Sequence, residues 1–205
     1  MSRLVDEFKE RRSIRKFKAR AVPQELVLAV LEAAGLAPSA HNAQPWRFVI
    51  ITDELVKKRL AEAMAESWVS DAAKDGSSVP PEKLRLSIER FASAPILILA
   101  CLTLEGMVRF ADVERRGFER DLALQGLGAG LENLLLAAHW AGLGACWFGA
   151  PGFCKEAVRR VLAVPFDVDP EALVVMGYAV EKPGAPVRKL LAEYCFRDVW
   201  GRSLV

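Results

Sequence analysis

The chain predicts an α+β (mixed α/β) fold, one sheet flanked by helices, and three observations carry that prediction. Apolar runs at helical spacing alternate with short β-rich runs along most of the sequence. No segment repeats and no domain boundary is evident, so 1–205 reads as a single domain. At 205 residues, 52% of them hydrophobic, the chain can bury a substantial core and still leave apolar surface for a subunit interface.

The elements follow in order. Residues 23–36 read as a helix, with Leu26, Val27, Val30, Leu31 and Ala34 on one face, Pro23 suited to the first turn, and Gly35 and Pro38 closing it. Residues 46–52 are β-rich without strong alternation, which predicts a strand covered on both faces. Residues 53–67 return to helical spacing through Leu55, Val56, Leu60 and Met64, and Asp53 suits the cap. Residues 70–82 change character and read as the one linker-like stretch, either a solvated loop or a lid over a substrate site. A helix over 82–92 and a buried strand over 95–102 come next.

The longest helix is predicted over 119–141. Its Gly126, Gly128 and Gly130 imitate a dinucleotide fingerprint, but they sit inside a helical pattern rather than in a turn after a strand. Close approach of another helix explains them better. Residues 145–148 begin a strand, 153–162 form a helix and 172–180 a last strand. Beyond Gly184 runs a tail bearing Leu190, Leu191, Tyr194, Phe196 and Trp200, too apolar to hang free, which is expected to embrace a partner subunit.

Bulk properties exclude several classes of function. The formal net charge is +2, so composition offers nothing to a nucleic-acid role, and no aromatic-basic stripe supports one. No apolar run approaches the roughly 20 residues of a membrane span, and the charged N-terminus lacks the apolar centre of a signal peptide, so a cytoplasmic protein is the expectation. Cys101, Cys146, Cys154 and Cys195 show no metal-binding spacing, and only His41 and His139 could assist them, so no metal is expected. Cys101 lies in an apolar run and reads as a small core residue.

The chemistry concentrates in two segments. Arg11-Arg12-Ser13-Ile14-Arg15 supplies guanidinium forks, whose planar geometry and permanent charge match phosphate oxygens. Ala37-Pro38-Ser39-Ala40-His41-Asn42-Ala43-Gln44-Pro45-Trp46 is a polar loop running into a strand, with hydroxyl and amide groups suited to the edge of a flat heterocycle. A phosphorylated ring cofactor needs both.

These two segments, with the stretches 142–149 and 172–178, resemble the nitroreductase family of FMN-dependent oxidoreductases, in the family's order, from about Phe8 to Arg188. The resemblance implies a central, mostly antiparallel sheet and a homodimer with FMN at the subunit interface. It also implies ping-pong hydride transfer from NADH or NADPH to nitroaromatic, quinone or similar electron-poor acceptors. On this reading no Ser-His-Asp set, paired acids or nucleophilic cysteine is needed; the flavin carries the chemistry and the protein supplies position and charge.

Residue by residue, the resemblance assigns Arg11 and Ser13 to the phosphate or ribityl chain, with Arg12 joining them and Arg15 at the pyrimidine edge. Pro38, Ser39 and Ala40 match the loop that meets the flavin from the other subunit, with Asn42 and Gln44 as polar contacts; His41 is either an exposed loop histidine or a catalytic acid, and Trp46 is core. Trp147, Phe148 and Gly149 occupy the place where backbone lies against the dimethylbenzene and N5 side, where several family members carry a glutamate instead. Arg188 and Lys189 match a late basic pair for the phosphate, against the plainer reading of a charged tail, and Arg90 is a candidate further cation. Cys146 to Cys154, with Glu119-Arg120-Asp121 upstream, resembles the branch that includes the reductase domain of deazaflavin-coenzyme biosynthesis, which leaves a deazaflavin-precursor reductase as the alternative enzyme. A non-catalytic FMN-binding protein is the alternative outside enzymes.

Overall fold

Eight consecutive buried residues, Ile96–Thr103, form the strand on which the rest of the computed structural model is assembled; it describes residues 2–204. This strand, β2, lies between β1 (Trp46–Ile51) and β4 (Val168–Gly177), and β3 (Gly144–Phe148) borders β4. The order β1-β2-β4-β3 is antiparallel at every pairing, with Phe48 opposite Ala100, Leu99 opposite Leu173 and Cys146 opposite Val175.

Successive side chains of a strand point to opposite faces, and β2 serves two cores in that way. Ile96, Ile98, Ala100 and Leu102 join the core built by α2 (Gln24–Gly35) and α5 (Val113–Trp140). Leu97, Leu99 and Cys101 join the core built by α3 (Glu54–Lys74), α4 (Pro81–Ala92) and α7 (Lys155–Leu162). Cys101 is buried as expected, and burial pushes its thiol up to about 12. Two short helices complete the order: α1 (Ser2–Glu10) and α6 (Ala150–Phe153).

The glycines of α5 are contact points. A Cβ on Gly126 would lie 3.1 Å from Ser39 Cβ, and one on Gly130 would lie 3.2 Å from the Ala34 carbonyl oxygen of α2. Gly128 faces open space, so two of the three let neighbours approach. Asp53 caps α3 by accepting the Val56 amide at 2.9 Å.

Several expected boundaries shift. β1 is an edge strand rather than one covered on both faces: Arg47 and Ile50 are exposed, and Arg47 pairs with Glu105 at 2.7 Å. The helix expected over 53–67 continues through Ser70 to Lys74, and Pro81 and Glu82 already belong to α4, so the irregular stretch shrinks to 75–80. α5 begins before 119, at Val113, where the Asp112 carboxylate accepts the Arg115 amide at 2.8 Å. The helix expected over 153–162 divides at Cys154, and the last strand runs from Val168 to Gly177 rather than from 172 to 180. Among the described residues, no helix is long and apolar enough to cross a membrane, and no group of His, Cys, Asp and Glu could hold a metal ion.

An ion cluster ties α5 and α7 to β4. Arg159 and Lys155 reach Asp169 at 2.9 and 3.3 Å, Lys155 reaches Glu171 at 2.8 Å, and Arg120 pairs with both acids. Burial raises the Asp169 carboxyl, but Lys155, Arg159 and Arg120 outweigh it and hold the group below its ordinary value of 3.8. A carboxyl depressed in the folded state contributes stability above its unfolded value and loses it as pH falls through the folded one. Asp169→Asn is therefore expected to cost about 1–2 kcal/mol at neutral pH, the figure discounted for partial exposure. Chemical denaturation across the acid range should show the loss shrinking as wild type and variant converge at low pH.

Candidate active site

The arginine segment is held as an extra extended piece against the β3 edge of the sheet. Ile14 donates its amide to the Ala145 carbonyl at 3.0 Å in a parallel bridge. Four residues later the Lys18 amide reaches the Tyr178 carbonyl at 2.8 Å, just past β4. Ile14 fits because Gly144 has no side chain: a Cβ there would stand 2.7 Å from Ile14 Cβ. Extended backbone alternates its side chains, so anchoring Ile14 inward presents Ser13 and Arg15 together on the other side.

That side faces the end of β3. Arg11 and Ser13 line a cleft of about 470 Å³ with Glu132, Leu135, Trp147 and Gly149, and Arg11 Nε lies 3.6 Å from Glu132 Oε1. Arg15 donates to the Ser13 carbonyl at 3.2 Å, and its amide is held by Glu181 Oε1 at 2.9 Å. Two guanidinium groups lie over the Phe148 ring, Arg15 at 6.0 Å and Arg90 at 5.4 Å from its centre, and the ring meets Phe91 edge-on at 5.2 Å. Burial pushes the Cys146 thiol up, while Arg15, the Ser13 hydroxyl, Arg90 and Arg11 pull it the other way. Nothing stands within 4 Å of the position a Gly149 Cβ would occupy, which leaves room for a flat group against that backbone.

Arg12 is turned away from this convergence. Its guanidinium donates to the Lys9 and Arg11 carbonyls at the end of α1, and its buried Nε has no partner among the described residues.

The polar loop sits at the opposite edge, leading into β1. Gln44 donates its amide to Ser39 Oγ at 3.0 Å, and His41, Asn42 and Gln44 all have positive φ, at 56°, 51° and 48°. Three non-glycine residues in that region within one short loop store conformational energy. His41 Nε2 lies 3.4 Å from the buried carboxylate of Glu119, which also accepts the Val108 amide at 3.1 Å. Trp46 is buried, as core. Four interstrand spacings, roughly 19 Å, separate β1, into which the loop leads, from the arginine segment outside β3. One chain therefore does not bring Pro38, Ser39, Ala40, Asn42 and Gln44 against Arg11 and Arg15.

Arg188 and Lys189 lie in an exposed tail, and no hydrogen bond or ion pair among the described residues joins them to the cleft. The tail is folded on itself by an antiparallel bridge between Phe196 and Ser203 and by the Phe196–Trp200 ring pair at 4.8 Å. Val187, Leu190, Tyr194 and Trp200 are exposed.

Residue types alone do not reveal Cys146, Glu132, Glu181 or the Phe91–Phe148 contact, because each enters through a pairing distant in sequence. A β3 strand starting one residue after the Gly142 turn is the signal that places Cys146 beside Ser13.

Comparison with known proteins gives a consistent result. The family model described as the nitroreductase family matches residues 8–178. The chain is similar to a candidate NADH dehydrogenase/NAD(P)H nitroreductase from Methanothermobacter thermautotrophicus, with 30% identity over 88% of this chain and 80% of that protein. A nitroreductase-like crystal structure in complex with FMN, from Desulfovibrio desulfuricans, is 26% identical and superposes with a TM-score of 0.72 over 96% of this chain and 97% of that one. The BluB-like flavoprotein of Clostridium difficile is 25% identical, with a TM-score of 0.77 over 95% and 98% of the two chains. The matched span takes in the arginine segment, the polar loop and all four strands, and on that ground the chain belongs to the nitroreductase family.

Proposed function

We propose that residues 1–205 form one FMN-binding unit, an NAD(P)H oxidoreductase that works as a homodimer and reduces nitroaromatic, quinone or similar electron-poor acceptors. The observation that carries this reading is that Arg15 and Arg90 both lie over the ring of Phe148, the last residue of β3, while Arg11 lines the cleft beside Trp147 and the open backbone face of Gly149. A dianionic phosphate and a ring that gains negative charge on reduction are the ligand features such a set of cations suits.

The residues present fit FMN. Arg11 and the Ser13 hydroxyl would hold the phosphate end, with Arg188 and Lys189 assisting, and Arg15 with Arg90 would stand near the pyrimidine edge. Trp147, Phe148 and Gly149 would back the ring, and the Gly149 amide would offer a donor to it. FMN, when bound, supplies two-electron transfer between a nicotinamide and an acceptor. Pro38, Ser39, Ala40, Asn42 and Gln44 lie too far from the cleft of their own chain, so on this reading a second subunit delivers them. The exposed apolar tail supports the same arrangement, since association would remove Leu190, Tyr194 and Trp200 from water.

The test is the visible spectrum of the purified protein before and after anaerobic NADPH, then NADH, with the mass in solution measured on the same sample. A flavin spectrum that bleaches within seconds on a dimeric species is the expected result. Bound flavin that neither nicotinamide reduces would favour a deazaflavin-precursor reductase or a non-catalytic flavin carrier, and no flavin after reconstitution with FMN would overturn the reading.

A further inference from the structure

A second cavity, of about 610 Å³, lies between α3, α4 and α6 and shares Gly149 with the arginine cleft. Its volume is that of a small-molecule site. Trp68, Phe91 and Phe153 wall it, and Cys154 lies at its base. Among the described residues, its charged lining side chains are Asp71 and Asp75, whereas the cleft that shares Gly149 is lined by the paired Arg11 and Glu132. The acidic charge of this cavity is thus not matched by a cation in its own lining.

The two aspartates are placed against local preference. They lie four residues apart at the end of α3, Asp75 being the residue that closes the helix. Like charges at that spacing repel, and the carboxyl end of a helix is already negative. Lys74 pairs with Asp71 at 2.7 Å and offsets one of the two charges from outside the cavity. Asp71 is felt inside it nonetheless: burial first, and then Asp71, pushes the Cys154 thiol up to about 11. Local rules broken without an evident gain in stability mark positions retained for function.

We propose that this cavity is the acceptor pocket and that Asp71 and Asp75 make it select neutral or cationic planar acceptors over carboxylated ones. The proposal rests on the reductase reading given above and adds the chemical class of the acceptor. Aromatic walls suit a flat ring by stacking, and Gly149, which lines both spaces, would be the point at which such a ring meets a group held in the cleft beside β3. An anionic substituent would have to enter past two carboxylates at the solvent-facing rim of the cavity, Asp75 exposed and Asp71 partly so, where water screens the repulsion without abolishing it.

Three acceptors of similar shape test it: 4-nitrobenzamide, 4-nitrobenzoate and (4-nitrobenzyl)trimethylammonium. Binding to the oxidised protein is read by quenching of tryptophan fluorescence, with Trp68→Phe identifying the signal from the cavity, and turnover is read as kcat/KM. The expected order is cation, then amide, then carboxylate, with the carboxylate about tenfold weaker than the amide. In Asp71→Asn/Asp75→Asn the carboxylate should come within about threefold of the amide, through KM and Kd rather than kcat. Ser87→Phe, which fills the cavity from α4, should weaken all three while flavin remains bound.

Equal binding of the three by the wild type, or a preference that survives loss of both aspartates, would overturn the proposal. The two readings fail separately. Flavin that nicotinamide bleaches, with no charge order among acceptors, sinks only the pocket. The charge order in Trp68 quenching without reducible flavin sinks only the reductase.

Discussion

Gly144→Val is expected to lower the melting temperature by roughly 5–10 °C and to release FMN, although residue 144 lines no part of the cleft beside Trp147 and Gly149. The branched side chain would be driven into Ile14, where even a Cβ would stand 2.7 Å from Ile14 Cβ and 2.7 Å from its Cγ2. The Ile14 Cβ is fixed to the backbone, so relief comes by moving the segment that carries Arg11, Ser13 and Arg15 away from β3. Gly144→Ala should show the same two effects at smaller size. Differential scanning calorimetry with flavin absorbance on the same samples checks both readouts. Full FMN retention by a folded Gly144→Val protein would show that the arginine segment does not depend on its seat against β3.

Arg11→Ala and Arg15→Ala are each expected to weaken FMN binding by about ten- to a hundredfold while leaving the fold intact. Each side chain is a charge-assisted donor worth roughly 1.5–3 kcal/mol to an anionic partner, and neither is part of the core. Lysine at either position should restore the charge but not the planar fork, and so recover only part of the affinity. Because the attraction is electrostatic at a partly open site, the gap between wild type and alanine variant should narrow as salt rises. Fluorescence titration of apoprotein with FMN at low and high ionic strength measures this. Affinity unchanged in Arg11→Ala and Arg15→Ala would move the phosphate away from this end of β3.

Much of the architecture was legible because single residues carried it. Asp53 caps its helix as its position before Leu55 and Val56 suggests, the unbroken apolar run at 95–102 is the central strand, and Gly126 and Gly130 are packing contacts. Where apolar spacing stopped, the reading stopped too early. The last turns of α3, from Ser70 to Lys74, are polar and solvated, and the first two turns of α5 carry Arg115, Arg116 and Gly117 before any apolar rhythm begins. A helix anchored along one part of its length extends into such sequence at little cost, because propagation is easier than nucleation. The site was legible as two motifs but not as an arrangement. That Arg90 joins Arg15 over Phe148, that Arg12 turns back to α1, and that the polar loop occupies the far edge of the sheet all depend on pairings distant in sequence.

The seating of the arginine segment also has a bearing on how the protein is made. Ser13 and Ile14 leave the ribosome long before Ala145, on which they are seated, and before Tyr178, which holds Lys18 just beyond them. Until then Arg11 and Arg15 have no template to lie on, and contacts that span so much of the chain are slow to close. Competence to hold an anionic ligand should therefore arise in the last stage of folding, after β2 and its helices have condensed. Uptake of FMN by a refolding or nascent chain would then serve as a clock for completion of the molecule.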